Sequence, residues 1–470
     1  MSGSPESRGL TDLPNELIHE VAACTELGDL LTLCRTSRFI HAHCLPRIYR
    51  SITLKDVAQV SKWCQTILLR TTAAQSVHNL IISCSPSDPS TNFYTMMHSA
   101  IRRLENLQSL TVSKSRTIFH TFSDLHFPRL SNVIAPSSYD IFPFLTRHPM
   151  LCRVLVMPSA DDNGTWWENP GITFPLTPSE RQIQMPDLQV FAGPLTVARA
   201  VVPGSLVSIL IIYWEKERTT SFSDDVAMLA QSNSDILDLQ NLIFGWIRNQ
   251  SLLRAIADHI PRVKRLRLRN LLDLHTLTEW IMFLEYVEDT LSSFPCLTHL
   301  DLLDKSCPPL DGDDYEVFVF SVLDDDFRTI RRWAAICPTL LRVRLPRTRT
   351  IWEFRNGIWF PHLTAAVLTA SCRYAMQRTT LLHFKWFFTT LISMAPSLPK
   401  AYHSFAEYLA GKQGLLAARD ALDIYGSLPD FEFIMEPEHG NDREKSRILF
   451  QPPRLDSDSD MNSDTYSDSD

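Results

Sequence analysis

The sequence predicts an α/β chain in which a three-helix unit is followed by an irregular solenoid of short strands alternating with helices, and then by an acidic tail. Three observations predict it. Residues 13 to 54 carry amphipathic helix patterns broken by caps and a proline. From Ser51 to about Ala370 the spacing apolar-x-x-apolar-x-apolar recurs with helical stretches between copies. From Glu436 the chain turns polar and ends in Asp/Ser repeats. At 470 residues, 44% hydrophobic and 10% aromatic, the chain can bury a large core and contains more than one structural unit. The expected segments are a disordered start (1–10), the three-helix unit (11–54), the strand–helix region (55–400), a helical cap (401–435) and a disordered polar tail (436–470).

In the first unit, Thr11 and Asp12 suit an N-cap and Pro14 suits the first helical turn, where a missing N–H costs nothing. Leu13, Leu17, Ile18 and Val21 then form an apolar stripe, with Asn15, Glu16, His19 and Glu20 between them. Gly28 is expected to stop this helix and Asp29 to cap a second, which Leu30, Leu31, Leu33 and Cys34 make apolar on more than one side. Ser37 caps a third helix carrying Phe39, Ile40 and Ala42, expected to end before Pro46 and leave the chain extended. So short a unit keeps too much surface exposed to bury a core of its own, so it needs partners.

The residues Leu13-Pro14-x-Glu16-Leu17-Ile18, Asp29-Leu30-Leu31-x-Leu33-Cys34-Arg35-x-Ser37-Arg38 and Leu45-Pro46-x-Ile48-Tyr49-Arg50-x-Ile52-x-Leu54 together resemble an F-box as found in fungal F-box proteins. The resemblance covers roughly a tenth of the chain. It implies a module that docks the Skp adaptor of a cullin-RING ubiquitin ligase while the rest of the chain selects a protein target. It places the adaptor-facing positions on Leu13, Pro14, Leu17, Ile18, Leu30, Leu31 and Cys34.

Clean copies of the strand spacing fall at Val77/Leu80/Ile82, Leu107/Leu110/Val112, Leu151/Val154/Val156, Leu206/Ile209/Ile211, Val263/Leu266/Leu268, Leu297/Leu300/Leu302 and Leu340/Val343/Leu345. Weaker copies are Leu130/Val133, Leu188/Phe191 and Leu363/Ala366/Leu368. Proline precedes many of them (Pro128, Pro149, Pro186, Pro261, Pro295, Pro338, Pro361), as suits a strand's first position. Helices are expected at Phe93 to Leu104, Leu274 to Leu291 and Tyr315 to Ile336. Strand–helix alternation with L-x-x-L-x-L strands resembles a leucine-rich repeat. The spacing of 18 to 57 residues departs from the regular repeat of about 20–29, so the region reads as a degenerate, leucine-rich-repeat-like solenoid. A non-repeating α/β domain with buried strands accounts for the same spacing. In a solenoid the parallel sheet would be the concave, partner-binding side.

Two polar stretches interrupt the pattern. Met157 to Pro186, with Trp166 and Trp167, reads as a loop excursion, and the two tryptophans are candidate target contacts or rings folded back inside. Glu215 to Asp235 is similarly polar and serine-rich. Charge also segregates: Asp311 to Asp326 holds seven acidic residues and no basic one, whereas Arg328 to Arg349 holds seven arginines and no acidic residue. Lys264, Arg265, Arg267 and Arg269, alternating with apolar residues, are candidates for attracting an acidic or phosphorylated target. Pairing inside the chain with Asp311 to Asp326 is the alternative. In the tail, Ser457, Thr465 and Ser467 each precede an aspartate by three residues, as acidophilic kinase sites do, and their phosphorylation would add to its negative charge.

Other functions find little support. Met1 to Gly9 lacks an apolar signal core, and the longest apolar run, Leu206 to Trp214, is far short of the roughly 20 residues that span a bilayer. A soluble protein of the cytoplasm or nucleus, touching neither membrane nor nucleic acid, is expected, in keeping with a net charge of −8. Ten scattered cysteines without a Cys-x-x-Cys pair read as reduced thiols. No phosphate-binding loop, dinucleotide fingerprint, nucleophile elbow or H-E-x-x-H is present, so no enzyme and no cofactor is expected. His41, His43 and Cys44, with Cys24 and Cys34, are spread around separate helix faces and are not expected to bind metal. The expected function is a non-catalytic substrate receptor acting by proximity, with the Skp adaptor, a cullin scaffold and an unidentified protein target as partners. A scaffold that binds the adaptor without presenting a target for degradation fits the same residues.

Overall fold

The repeated apolar spacing becomes a single sheet. A computed structural model describes residues 13–84, 90–113, 115–157, 182–214, 221–243, 247–270, 277–304, 326, 328–345, 351–355 and 358–362, all within Met1–His362. The sheet has 13 strands in strict chain order. They are β1 (Ser51–Leu54), β2 (Asn79–Ile82), β3 (Ser109–Val112), β4 (Asn132–Pro136), β5 (Arg153–Met157), β6 (Val190–Pro194) and β7 (Ile209–Tyr213). Then follow β8 (Asp238–Ile243), β9 (Arg265–Asn270), β10 (His299–Asp304), β11 (Arg342–Arg344), β12 (Ile351–Arg355) and β13 (Ile358–His362). Pairing is parallel from β1 to β11. β12 runs antiparallel to both of its neighbours, β11 and β13.

Register explains the spacing. Apolar positions line up from strand to strand: Ile52, Leu80, Leu110, Val133, Val154, Phe191, Leu210, Leu239, Leu266, Leu300 and Val343 form one cross-strand row that Trp352 continues on β12. From Leu80 onward this row is buried. At β7 the expected copy Leu206/Ile209/Ile211 is one residue early, because the buried set is Val207, Leu210 and Ile212 while Leu206 is exposed. The expected copy Leu363/Ala366/Leu368 lies outside the described residues. Strands about 4.8 Å apart thus stack like side chains on like, and a residue two further on repeats the contact because side chains alternate faces.

Parallel neighbours need crossover connections, and helices supply most of them. The described ones are α1 (Asn15–Cys24), α2 (Leu27–Leu33), α3 (Arg38–Arg50), α4 (Val57–Leu69), α5 (Thr71–Ser76) and α6 (Thr91–Ile101). After them come α7 (Arg116–Phe122), α8 (Ile141–Arg147), α9 (Leu195–Val201), α10 (Phe222–Leu229), α11 (Ile247–His259) and α12 (Leu277–Leu291). Residues 328–336 are also helical. Successive helices pack on one another, α4 on α6 and α6 on α7, then α9 through α12 in series. None of the described helices is long and apolar enough to cross a membrane.

Several local expectations are corrected. The prolines do not begin strands. Pro128, Pro149, Pro186, Pro261, Pro295 and Pro338 each occupy a turn just before a strand. In each, the N–H two residues after the proline donates to the carbonyl just before it, as from Leu130 to Phe127 and from Leu340 to Cys337. Proline pre-sets the φ of a turn's second position, so it marks where helix becomes strand. Pro361 lies within β13. Glu215 to Asp235 holds α10 rather than only loop. Strand β8 had no expected counterpart, although Ile236-x-x-Leu239-x-Asn241 keeps the spacing with a polar third member. Including it divides the 57-residue gap between Leu206 and Val263 into 30 and 27 residues.

In the first unit, α1 starts at Asn15 with Pro14 as its cap residue, and the Pro14 carbonyl accepts from the Leu17 and Ile18 N–H groups. Thr11 and Asp12 lie outside the described residues. The helix ends at Thr25, whose hydroxyl donates to the Val21 carbonyl at 2.6 Å, before Gly28 is reached. Gly28 and Asp29 sit inside α2, which Glu26 precedes. Ser37 caps α3 by accepting from the Phe39 N–H. That helix continues through Pro46 to Arg50 and passes directly into β1. The first unit therefore joins the sheet without a linker, and α3 also packs on α5.

Candidate functional site

Two surfaces stand out, one apolar and one charged. On α1–α3 the apolar residues divide into an inner and an outer set. Inside, Ala22, Leu30, Ile40 and Cys44 form a buried cluster against which Leu33, Cys34 and Ile48 pack. Burial, with the neighbouring Cys34 thiol, pushes the Cys44 thiol up to about 11. Outside, Leu17 and Val21 on α1 and Leu27 and Leu31 on α2 are i,i+4 pairs, each lying on one helix face. Leu17 and Leu31 are each 45% exposed and Leu27 61%. Leu13, Pro14 and Phe39 are exposed as well. Of the seven residues assigned to an adaptor, Leu13, Pro14, Leu17 and Leu31 therefore lie outside. Ile18 (2% exposed) and Leu30 (1%) are interior side chains, and Cys34 is half-buried against the cluster. The apolar stripe was legible, but the stripe alone does not tell which of two adjacent helical positions the third helix covers.

His43 Nδ1 lies 3.3 Å from His19 Nε2, with the Phe39 ring edge-on to His43. Among the described residues no group of three His, Cys, Asp or Glu side chains converges on a metal-sized site.

The charged surface is the sheet face opposite the fully buried row, over β8 to β12. Alternation places Arg265, Arg267 and Arg269 of β9 on it, as expected. Two of them are paired within the chain to neighbouring strands; residues 311–325, the other expected partners, lie outside the described residues. Arg265 reaches Asp238 of β8 at 2.9 Å. Arg267 donates through Nε and Nη2 to Asp301 Oδ2 on β10 and through Nη1 to Gln240 Oε1. Burial raises the Asp238 pKa from its ordinary value, outweighing the pull of Arg265 and Arg267. Lys264 precedes the strand and is exposed.

The register adds residues that sequence reading missed. His299 lies between Arg265 and Arg342 in one cross-strand row, and Asp301 between Arg267 and Arg344 in the next. The only sequence signal was the apolar-polar alternation of β10 and β11, because these residues are more than 30 positions apart in the chain. Thr298 donates its hydroxyl to the Lys264 carbonyl at 2.9 Å and so accepts from His299 Nδ1, also at 2.9 Å. This leaves Nε2 as the bare nitrogen of the neutral ring. Burial, then Arg342 and Arg265, hold the His299 pKa below its ordinary value, while Asp301 and Glu353 act the other way.

Trp166 and Trp167, Ser457, Thr465 and Ser467, and the expected cap and tail lie outside the described residues. No protein-family model matches this sequence, and no curated protein matches it.

Proposed function

We propose that the chain is a non-catalytic substrate-receptor subunit of a Skp–cullin–F-box ubiquitin ligase. In this reading α1–α3 are the F-box and dock the Skp adaptor. The strand–helix succession is an irregular leucine-rich-repeat-like solenoid whose sheet face holds a protein target. The observation that carries the reading is the concentration of exposed apolar side chains. Of fourteen large exposed hydrophobic residues among those described, six (Leu13, Leu17, Val21, Leu27, Leu31 and Phe39) fall on this one short unit. Exposed apolar side chains gathered on one short unit point to an interaction site. The sequential parallel sheet supports the second half, since such arrays present one extended face to partners. The mechanism is proximity, a target held beside a charged ubiquitin-conjugating enzyme at high effective concentration.

The test is co-purification with the Skp adaptor of wild type and a Leu17→Asp/Leu31→Asp variant. Both positions are exposed, so the variant should stay folded while placing carboxylates in the contact. Retention of wild type and loss of the folded variant support the reading. Failure of wild type to bind removes it.

A further inference from the structure

We propose that the exposed face of β9–β11 binds a phosphate-type dianion, held over His299 between the guanidinium groups of Arg265 and Arg342. The inference goes beyond the adaptor reading and does not depend on it.

The argument is geometric. Arg265, His299 and Arg342 are register partners on three adjacent strands, so their Cβ atoms follow one another at the strand spacing of about 4.8 Å. A tetrahedral anion above the middle residue is within reach of both flanking arginines, whose planar forks suit phosphate oxygens. Local carboxylates do not cancel the row. Asp301 is engaged by Arg267, and Asp238 by Arg265, whose side chain is still 52% exposed. Arg342 forms no ion pair among the described residues, although Glu353 of β12 is its register partner. The row thus has one cation without a carboxylate and one histidine with a bare Nε2.

The histidine sets the ligand's charge requirement. With Nδ1–H committed to Thr298, only Nε2 can face a ligand, and it can donate to an oxyanion only after taking up a proton. The groups facing it are Arg265 and Arg267 from β9, Asp301 on its own strand, Arg342 from β11 and Glu353 from β12. Two arginines oppose that proton in the free protein. A bound dianion reverses the balance by neutralising both, so binding and protonation favour each other. A monoanionic carboxylate supplies half the charge and should bind more weakly.

The experiment uses the purified full chain with a fluorescent phosphoserine pentapeptide, its glutamate counterpart, and inorganic phosphate and sulfate as competitors. The phosphoserine peptide should bind, the glutamate peptide should bind about tenfold more weakly, and inorganic phosphate should compete. Arg342→Gln should weaken binding about tenfold with Arg342→Lys recovering part of it, whereas Lys264→Gln, outside the row, should change it less than about twofold. Sulfate does not titrate in this range, so its competition should strengthen from about pH 8 to about pH 6 in wild type but not in His299→Gln. If inorganic phosphate binds as tightly as the peptide, the site stands and its ligand is a free anion. Absence of binding by any of these anions overturns the proposal, as does glutamate binding equal to phosphoserine. So does Arg342→Gln binding like wild type while retaining the wild-type circular dichroism spectrum and melting midpoint.

Discussion

The indole Nε1 of Trp214 donates to Asn241 Oδ1 at 2.9 Å, and both residues are buried. Asn241 stands in β8 between Ile212 of β7 and Leu268 of β9, in a row that is otherwise apolar at that point. The hydrogen bond satisfies the amide oxygen, while Nδ2 is buried without a partner. Trp214→Phe should cost about 2–3 kcal/mol, since the amide loses its partner and the smaller ring leaves space unfilled. Adding Asn241→Leu should recover about 1 kcal/mol, because no polar atom is then buried alone. Urea denaturation of the four members of this cycle measures the coupling. Simple additivity would show that the bond contributes nothing specific.

Asn241 also shows where the sequence was opaque. Nine strands were marked by apolar residues at near-constant spacing, because a residue on the buried face of every strand has to be apolar. β8 carries an amide in the third place, whose oxygen accepts from a tryptophan 27 residues earlier, and no local pattern displays such a partner. Helix ends failed for a related reason. Pro46 stays helical and Gly28 is internal to α2 because α1 and α2 both pack on α3, and packing overrides local preference. Arg265 and Arg267 were visible as a basic strand, but His299 and Arg342 join them only through strand register.

The inner and outer sets on α1–α3 should respond in opposite ways. Leu30→Ala opens a cavity in the buried cluster and should cost about 2–5 kcal/mol. Leu31→Ala and Leu17→Ala should leave stability within about 0.5 kcal/mol. Thermal and urea midpoints of the three single variants check this, and a costly Leu31→Ala would show that residue to be internal.

His148 should make the fold acid-sensitive. Its ring is buried, Nδ1 donates to the Phe144 carbonyl at 2.8 Å and Nε2 accepts from the Phe127 N–H at 2.9 Å. Burial pushes its pKa down to about 4, against 6.5 for the free side chain. The unfolded chain therefore binds this proton first. The contribution is complete above about pH 6.5 and is lost as pH falls toward about 4, at up to about 1.4 kcal/mol per unit. His148→Leu should lower stability at neutral pH, since both hydrogen bonds go, and should flatten the slope over that window. Urea unfolding at several pH values compares the two slopes, and equal slopes would mean that other groups carry the acid response.

The strongest single polar dependence should be that of α10. Asp225, in its first turn, is almost wholly buried and is paired with Arg199 of α9, itself largely covered. Nothing in the polar run Glu215 to Asp235 announces this, because the partner lies 26 residues away. A buried ion pair adds little over an apolar pair of the same shape, but breaking it strands a charge where water cannot reach. Asp225→Ala should therefore cost about 3–5 kcal/mol, whereas Arg199→Met/Asp225→Leu together should restore most of it. The same cycle decides between two roles for the pair. If the double variant regains stability and keeps a single cooperative transition, the ion pair is one of several ways to join α9 to α10. If stability returns but the transition broadens, the charges fix how the two helices seat, and the strands β7 and β8 on either side of α10 depend on that seating.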